Sequence, residues 1–336
     1  MFIKLYETIL DYIKKEYKFL LVIVTLFLLM TIKLPFYIDM PGGIINISDR
    51  ITIDNKKKLK GTMNFAYVSE VRATIPTYLL SKINNNWDIL DKEEIMLKNE
   101  TEEDMKNRDI LSLKEAVSNA LYIGFKEANE PFEIKNKKTY VKYVFENAKT
   151  NLKIGDQILE LNNNKIASKQ DLKNIDNYEI GTIFNIKVLN KEKQYERTAE
   201  LIEINGEKKI GIGIGETFDI DTEHYIDINY KARESGPSGG MMMALTVYSY
   251  LTEEDLTNGK KIVGTGTIDE NGNVGSIGGV KYKLIGAVKN KADIFLVPNG
   301  ENYDEAMKVK QEKNYNIKIV GVSTLKEAIK TLKNDK

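Results

Sequence analysis

The sequence contains no cysteine and a single histidine, His224, among its 336 residues. The absence of cysteine excludes disulfides, thiolate zinc sites, iron–sulfur clusters and cysteine nucleophiles. One histidine cannot form a cluster of histidine metal ligands, and a Ser-His-Asp triad would have to use His224. We therefore expect neither a metal ion nor another cofactor.

The chain also lacks an excess of charge of either sign, because 49 Lys and Arg balance 49 Asp and Glu. A nucleic-acid-binding protein usually has a basic excess, so no nucleic acid is expected as a partner. No G-x-x-x-x-G-K-[ST] string occurs, which excludes a Walker-type ATP site. With 42% hydrophobic and 29% charged residues and only 6 prolines, the composition is that of a globular protein, and the length suggests about two to three domains.

One long hydrophobic run departs from this average. Residues 19–32 carry no charge, and the apolar character continues to residue 38 with only Lys33 interrupting it. About 20 residues of helix cross a bilayer core, and a lysine near the end can extend to the interface. A buried helix would show a polar face, and a cleaved signal peptide would need a small-residue site, which 33–45 lacks. The run predicts a transmembrane helix over 19–38.

Lysines precede this run and set its expected orientation. The rule that positive residues stay inside predicts that residues 1–18 form a cytoplasmic tail and that everything after residue 38 is extracytoplasmic. The protein is then expected to be a single-pass protein of the cell membrane, with its membrane anchor near the N-terminus. The lysines concerned are Lys4, Lys14, Lys15 and Lys18.

Residues 39–130 are interpreted as a separate extracytoplasmic N-terminal region. Isoleucines between residues 44 and 53 indicate short strands, and residues 65–71 indicate another. Apolar residues recur at three- and four-residue steps over 102–127, which predicts a helix. No motif in this region indicates a particular chemistry.

Residues 131–207 have the pattern of a small β domain. Alternation predicts strands at 140–145, 184–189 and 198–202, and Ser168 is a suitable N-cap for a short helix over 168–175.

The segment 152–166 resembles the L-x-x-G-D-x-I-x-x-L-N-x-x-x-I core of PDZ domains. That resemblance implies a partly open β-barrel, which in PDZ domains binds extended peptides at a sheet edge. The Gly-Leu-Gly-Phe-type loop is absent just before Tyr140, so capture of C-terminal carboxylates stays open. A PDZ-shaped spacer without a ligand is the alternative.

A serine lies in a glycine-rich segment before an apolar run. Ser238 belongs to Gly-Pro-Ser-Gly-Gly at 236–240, between a strand at 226–230 and a helix reaching Leu251. Such a serine could simply be the N-cap of a buried helix. It could instead be a nucleophile at the positive end of a helix, where Gly239 and Gly240 would let a substrate backbone approach. This segment alone favours the cap.

The next segment contains a candidate base. Asn271-Gly272 predicts a hairpin turn, and a helix is expected from Lys281 through Val288. A lysine near the positive end of a helix in apolar surroundings is disfavoured as a cation, so it can serve as a general base. The alternative is that Lys281, like Lys283, is an ordinary solvated lysine.

Taken together, these motifs resemble the proteolytic domain of the Lon family. The matching elements are Ser238 in Gly-Pro-Ser-Gly-Gly, Thr265 followed by glycine, and Lys281 in Ile-Gly-Gly-Val-Lys, with 281 − 238 = 43 residues between serine and lysine. The resemblance implies an α/β proteolytic domain over 208–336. It also implies Ser238 as the nucleophile, Lys281 as the base and Thr265 as a neighbour that hydrogen-bonds Lys281.

Two further expectations concern the surroundings of Ser238. The backbone N–H groups of Ser238 and Gly236 are candidate donors to an oxyanion. Many Lon enzymes have an acid immediately before Gly-Pro-Ser, whereas this chain has Ser235 there and Glu234 before it. The acidic partner of Lys281 is therefore left open.

The whole chain resembles the membrane-anchored PDZ–Lon proteases of Gram-positive bacteria. This resemblance implies an α+β multidomain protein: an ATP-independent serine endopeptidase that acts outside the membrane on signalling peptides or small membrane-tethered proteins. The alternative function is a non-catalytic PDZ scaffold that binds peptides at the cell surface. The substrate, the cleavage preference and the formation of a homo-oligomer stay open.

Overall fold

A computed structural model describes the chain, and it divides the residues into two compact units. One unit comprises residues 1–41 and 68–95, and the other comprises 42–67 and 96–336. The described residues are 2–54, 58–98, 100–232, 234–252 and 254–335, without the side chains of Phe2, Lys4 and Ile9.

Strands and helices alternate along much of the described chain. The strands are β1 (Lys33–Asn46), β2 (Ile51–Ile53), β3 (Thr62–Thr74), β4 (Asp88–Asp91), β5 (Glu133–Val144), β6 (Gln157–Leu161), β7 (Asn164–Lys165), β8 (Ile183–Asn190), β9 (Lys193–Glu200), β10 (Ile202–Ile204), β11 (Glu207–Lys209), β12 (Ile212–Asp221), β13 (Ile226–Ile228), β14 (Lys261–Gly264), β15 (Thr267–Ile268), β16 (Val274–Gly275), β17 (Ile294–Pro298) and β18 (Lys318–Val322). The α-helices are α1 (Phe2–Thr31), α2 (Ile75–Ile83), α3 (Lys92–Ile95), α4 (Glu102–Ala128), α5 (Gly240–Leu251), α6 (Val280–Lys289), α7 (Glu301–Glu312) and α8 (Leu325–Asn334), and two 3-10 helices lie at Ile47–Asp49 and Lys169–Asn177.

The larger unit is built on a parallel sheet with helices on both faces. β14 pairs in parallel with β3 on one side and β17 on the other, and β17 pairs in parallel with β18. Along β17, Ile294 and Leu296 belong to one core and Phe295 and Val297 to another, because alternate side chains of a strand point to opposite faces. Helices α4, α5 and α8 complete the first core, and α6 and α7 complete the second. The predicted α/β architecture is confirmed for this part of the chain.

Residues 42–67 and α4 pack in the core that contains α5. The prediction that 39–130 form a separate region is therefore wrong. β2 pairs with β13, and β3 pairs with β14. α4 packs on α5, and a Cβ atom on Gly124 would lie 2.6 Å from Val247 Cγ1, so only glycine allows this close approach of the helices. The periodic pattern of α4 predicted a buried face but carried no information on its partner.

A second sheet is inserted between α4 and β13. Its strand order is β12-β5-β6-β8-β9, with β7 paired to β6, and its own core contains Val141, Phe184 and Ile186. The strands predicted at 140–145 and 184–189 and the short helix after Ser168 lie here. β12 pairs with β5 over most of its length, so this sheet continues past the boundary predicted after residue 207.

Helix α1 is shorter at its C-terminal end than the predicted transmembrane helix over 19–38. It ends at Thr31, and residues 36–39 instead pair with 88–91 in a β-ladder. Pro35 explains the difference, because a proline ring collides with the carbonyl four residues earlier and disfavours helix at the preceding residue. In the described part of the chain, no helix combines the length and the apolar content needed for a membrane crossing.

Candidate active site

Ser238 lies in the turn between Gly236 and Gly239, immediately before α5, and is half-buried. The N-cap of α5 is Gly239, so Ser238 is not the capping residue. Every residue of α5 from Gly240 to Tyr250 is buried. The turn therefore places the serine at the N-terminal end of a fixed, buried helix, where the positive end of the helix dipole favours negative charge.

The carbonyl oxygen of Ser238 joins this turn to the Thr265–Gly266 segment. Gly266 donates its amide N–H to this oxygen at 2.7 Å, and Thr265 donates its hydroxyl at 3.2 Å. Met241 in turn donates its amide to the Gly266 carbonyl at 3.0 Å. The structure thus brings Thr265 to Ser238, and the bond between Thr265 and Lys281 that the resemblance implies stays a prediction.

Gly239 and Gly240 lie in crowded surroundings inside the protein. A Cβ atom on Gly239 would lie 3.2 Å from Phe65 Cγ, and one on Gly240 would lie 2.9 Å from Ile268 Cγ2. The prediction assigned these glycines to the approach of a substrate backbone. The crowding atoms belong to Met243, Phe65 and Ile268, and the approach of a substrate backbone stays a prediction.

Gly236 holds the other side of the turn. Its φ of +83° is the left-handed conformation that favours glycine, and its amide N–H donates to the Asp109 carbonyl at 3.0 Å. Gly236 was predicted to donate this N–H to an oxyanion, but the bond to α4 already uses it. Burial raises the pKa of the Asp109 carboxyl, although Arg108 opposes this.

Lys281 is the second residue of α6. Its amide donates to Glu305 Oε1 at 3.1 Å, and its Nζ lies 5.3 Å from the centroid of the Tyr282 ring. Asn302 exchanges two hydrogen bonds of 2.9 Å with the backbone of Ile277, just before the two glycines. Helix α7 therefore fixes the Ile-Gly-Gly-Val-Lys segment. These contacts do not by themselves pair the Ser238 hydroxyl with Lys281 Nζ.

The hairpin between Thr265 and Lys281 is confirmed, with β15 paired to β16. Its turn spans residues 269–273, and the Asp269 carboxylate accepts the amide hydrogens of Asn271 and Asn273 at 2.9 and 2.8 Å. Burial works against ionisation of Asp269, but these hydrogen bonds outweigh it and lower its pKa. Lys283, predicted to be solvated, is buried.

Glu234 pairs with Arg50, a residue that the sequence did not single out. Arg50 Nη2 lies 2.6 Å from Glu234 Oε1, and Arg50 Nε lies 2.7 Å from Oε2. The hydrogen bond to Glu234 raises the pKa of Arg50 despite burial. Its position between the buried Ile47 and Ile51 was the available signal, since a charged side chain buried among apolar residues needs a partner. Glu234 is therefore engaged by Arg50.

His224 lies between two carboxylates. Its Nδ1 is 3.4 Å from Asp54 Oδ1, its Nε2 is 3.6 Å from Glu130 Oε2, and its ring packs edgewise on Phe125. These contacts do not include Ser238. Among the described residues, no group of three or more His, Asp or Glu side chains is arranged to hold a metal ion.

A cavity of about 430 Å³ opens beside the serine turn. Pro237 and Thr267 form the wall nearest Ser238, and Glu115 on α4 forms another. The inserted sheet contributes Lys142, which contacts Glu115 at 2.6 Å, and Lys169, which contacts Glu270 at 3.1 Å. Charged side chains of both signs from the insert and from the α/β core thus line the space next to the serine.

Comparison with known proteins shows which family the region around Ser238 resembles. Residues 218–334 match the family described as Lon protease (S16) C-terminal proteolytic domain. This part of the chain is a Lon-type proteolytic domain. The matched range contains Ser238, Thr265 and Lys281, which the structure places at the start of α5, after β14 and at the start of α6.

Curated relatives match this chain over stretches of just under 100 residues. Lon protease of Campylobacter concisus is 36% identical over 98 residues, which is 29% of this chain and 12% of that protein. The Lon proteases of Neorickettsia sennetsu and Trichlorobacter lovleyi are 32% and 33% identical over 96 and 99 residues, each 29% of this chain. The matches to these two cover 11% and 12% of their lengths, so this chain spans only a small part of its relatives.

Among solved structures, the second domain of the Listeria protein Lin2157 is 27% identical to this chain. The match covers 26% of this chain and 88% of that one, with a TM-score of 0.19, which is too low to support any statement about the fold.

The core of the Lon-type domain extends beyond the matched residues. Met63 and Phe65 of β3 and Leu121 of α4 pack in the same core as Met242 of α5. The inserted sheet therefore interrupts the chain of this domain, with α4 before it and β13 after it.

Proposed function

We propose that this protein is a serine endopeptidase in which Ser238 is the nucleophile and Lys281 is the general base. The main support is that the matched Lon-type range contains both residues in their motifs, 43 residues apart (281 − 238), and that hydrogen bonds from Thr265 and Gly266 fasten the Ser238 turn. Peptide hydrolysis needs a nucleophile, a base and a site for the oxyanion.

In the proposed reaction, neutral Lys281 Nζ takes the proton of the Ser238 hydroxyl as Oγ attacks the carbonyl carbon of the substrate. The oxyanion forms next to the N-terminal end of α5, where the Ser238 N–H is the candidate donor. Lys281 then gives its proton to the leaving amine, and an acyl-enzyme remains. Water, deprotonated by the same lysine, releases the second product and restores Ser238.

The proposed substrates are extended peptides or small membrane-tethered proteins, and the proposed reaction needs no ATP. The cavity beside Pro237 supports side-chain recognition next to the scissile bond. The inserted sheet, proposed to be a PDZ-like domain, contributes Lys142 and Lys169 to that cavity, so it is in position to contact a substrate bound at Ser238.

Attachment to a membrane through α1 is the corresponding proposal for location, with the catalytic part on the extracytoplasmic side. The support is the uncharged run of α1 after Lys18, whose apolar side chains are exposed, with Leu21 and Phe27 each 65% accessible. Such a surface favours lipid. Flotation of the full chain with lipid vesicles tests attachment, and protease treatment of intact protoplasts tests orientation. Failure to float, or full protection of the catalytic part, would overturn the respective proposal.

The enzymatic proposal is tested by substrate trapping. Full-length Ser238→Ala protein and wild type are incubated without ATP with extracts of surface proteins, and the bound and cleaved peptides are compared by mass spectrometry. We expect Ser238→Ala to retain peptides that wild type cleaves. Equal cleavage by the two proteins would contradict Ser238 as the nucleophile.

A further inference from the structure

We propose that the Arg50–Glu234 ion pair is a positioning device for Ser238. This inference rests on the proposed function, because it assigns the pair to placing the nucleophile. The two residues are 184 positions apart in the sequence. Arg50 precedes the strands of the inserted sheet and Glu234 follows them.

The pair has the geometry of a buried, bidentate contact. Arg50 Nε is 2.7 Å from Glu234 Oε2, and Arg50 Nη2 is 2.6 Å from Oε1. The side chains are only 9% and 13% exposed. Planar guanidinium and carboxylate groups that meet in this way fix direction as well as distance, and screening by water is weak at such burial. The pair therefore holds Glu234 in one place.

Arg50 is itself held by its backbone. Its N–H donates to the Ile47 carbonyl at 2.8 Å, and its carbonyl accepts from Asn229 at 2.8 Å. This second bond lies next to the β2–β13 ladder. Its Nη1 also donates to the Asp49 carbonyl at 3.0 Å. The guanidinium is thus attached to the core and can act as a rigid anchor for the loop that carries Glu234.

Glu234 lies between β13 and α5, four residues before Ser238. Within the loop, the Glu234 carboxylate accepts the amide of Lys231 at 3.3 Å. Further along the chain, the Gly236 N–H donates to the Asp109 carbonyl at 3.0 Å. The Ser238 carbonyl then accepts hydrogen bonds from Gly266 and Thr265. A Cβ atom on Gly236 would meet nothing within 4 Å, so no side chain presses on the loop at that point.

A tyrosine near the pair connects the same loop to α5. Tyr230 of the same loop donates its hydroxyl to Met243 Sδ of α5 at 3.0 Å. Burial raises the pKa of the Tyr230 phenol, and Glu234 adds to this effect. If the carboxylate is lost, we expect the segment between Tyr230 and Gly236 to shift. A misplacement of about 1 Å of a reacting group costs on the order of 100-fold in rate.

The test compares Glu234→Gln and Arg50→Lys in the full chain, using a peptide substrate and titration of active sites with a serine-directed phosphonate. We expect kcat per titrated site to fall at least about 10-fold in each, with KM changed less than about threefold, because orientation and not binding is lost. Glu200→Gln, which breaks the exposed contact with Lys149, is the matched control and should leave kcat unchanged. Exchanging the pair, Arg50→Glu with Glu234→Arg, should recover part of the lost kcat.

The outcomes separate the two proposals. Activity in a Ser238→Ala protein assayed in parallel would contradict the proposed function itself. An inactive Ser238→Ala protein together with a normal kcat in folded Glu234→Gln would overturn the positioning role. A loss of folded protein with a normal kcat per titrated site would overturn it as well, since the pair would then serve stability alone. If Glu234→Gln does not fold, the kcat of Arg50→Lys, which keeps the positive charge, decides whether the pair positions Ser238.

Discussion

Gly266 donates its amide N–H to the carbonyl oxygen of Ser238 across a distance of 2.7 Å. This bond joins two motif segments that are 28 residues apart in the sequence (266 − 238), and the Thr265 hydroxyl reinforces it. Because the accepting atom belongs to the backbone of Ser238, the bond fixes the main chain of the turn and leaves the Ser238 hydroxyl available for chemistry.

The first prediction concerns the dyad. Ser238→Ala removes the nucleophile and Lys281→Ala removes the base, so each should abolish peptide hydrolysis. Since the two residues act as one unit, the double variant should be little worse than either single one. Lys281→Arg should be equally inactive, because arginine stays protonated and cannot act as a base. Turnover of a peptide substrate by full-length protein measures these effects.

His224→Ala is the control for this prediction. The contacts of His224 go to Asp54 and Glu130, so its loss should leave most of the activity. A folded His224→Ala protein without activity, or a folded Lys281→Arg protein with near-normal turnover, would contradict the Ser-Lys assignment. Circular dichroism establishes the fold of each variant.

The second prediction concerns the packing of α5. Gly240→Ala would place a methyl group 2.9 Å from Ile268 Cγ2 and 3.2 Å from the Ile268 backbone nitrogen, which cannot move aside freely. Overpacking of this kind costs about 1–3 kcal/mol of the free energy of unfolding. Urea denaturation measures the loss. Gly278→Ala is the control, because its Cβ meets nothing within 4 Å, and an equal loss there would point to a general cost of replacing glycine.

The third prediction concerns pH and the C-terminal end of α8. The contacts of Lys318 and Lys260 with Asp335 lower the pKa of that carboxyl, with the hydrogen bond from Lys318 as the largest cause. The folded protein thus holds this proton less tightly than the unfolded chain. The stabilisation is therefore complete above the ordinary Asp pKa of about 4 and is lost as the pH falls through the lower, folded value.

Asp335→Asn should accordingly lower Tm at about pH 7. At about pH 2 the Tm of the variant should be close to that of wild type, because both proteins then lack the carboxylate charge. Thermal unfolding of wild type and variant at both pH values measures this. A gap in Tm that is as wide in acid as at neutral pH would show that the carboxylate charge is not responsible.

The fourth prediction concerns the Gly-Asp turn of the inserted sheet. The Asp156 carboxylate is fully buried and accepts hydrogen bonds from Asn190 at 2.6 Å and from Arg197 at 3.2 Å. Asp156→Ala removes the carboxylate that pairs with Arg197 and should destabilise this sheet by about 3 kcal/mol or more. Hydrogen exchange should quicken in β6 and β8 and stay slow in α5. Glu160→Ala, which breaks a half-exposed contact with Lys187, should cost less than about 1 kcal/mol.

The fifth prediction concerns the role of the inserted sheet in catalysis. Phe145 donates its amide to the Gly211 carbonyl at 2.9 Å, so an Asn-Gly turn can replace residues 146–210 and keep β5 and β12 as a hairpin. This variant should cleave a short peptide nearly as well as wild type and a full-length protein substrate far less well, because binding away from the scissile bond is lost. Equal loss on both substrates would indicate a role in the core, and no loss would make the sheet a spacer.

Sequence motifs singled out candidate site residues but carried little information on their contacts. Ser238, Thr265 and Lys281 were found from short patterns in which residue type and spacing are tightly restricted by chemistry. Gly236 was assigned to an oxyanion, yet its N–H is taken by Asp109, which lies 127 residues earlier (236 − 109). Arg50 was missed because its partner lies 184 residues away, although its apolar neighbours Ile47 and Ile51 indicated that it would be buried.

The sequence by itself determined the elements whose causes are local. It determined the helix predicted over 102–127 through periodicity, the hairpin around Asn271 through turn chemistry, and the exclusion of thiol and histidine-cluster chemistry through composition. Only the tertiary structure decided which elements share a core. Pairing of β3 with β14 and packing of α4 on α5 draw the N-terminal segment into the Lon-type domain, because the free energy of burial depends on which apolar faces meet, and many pairings are compatible with one pattern.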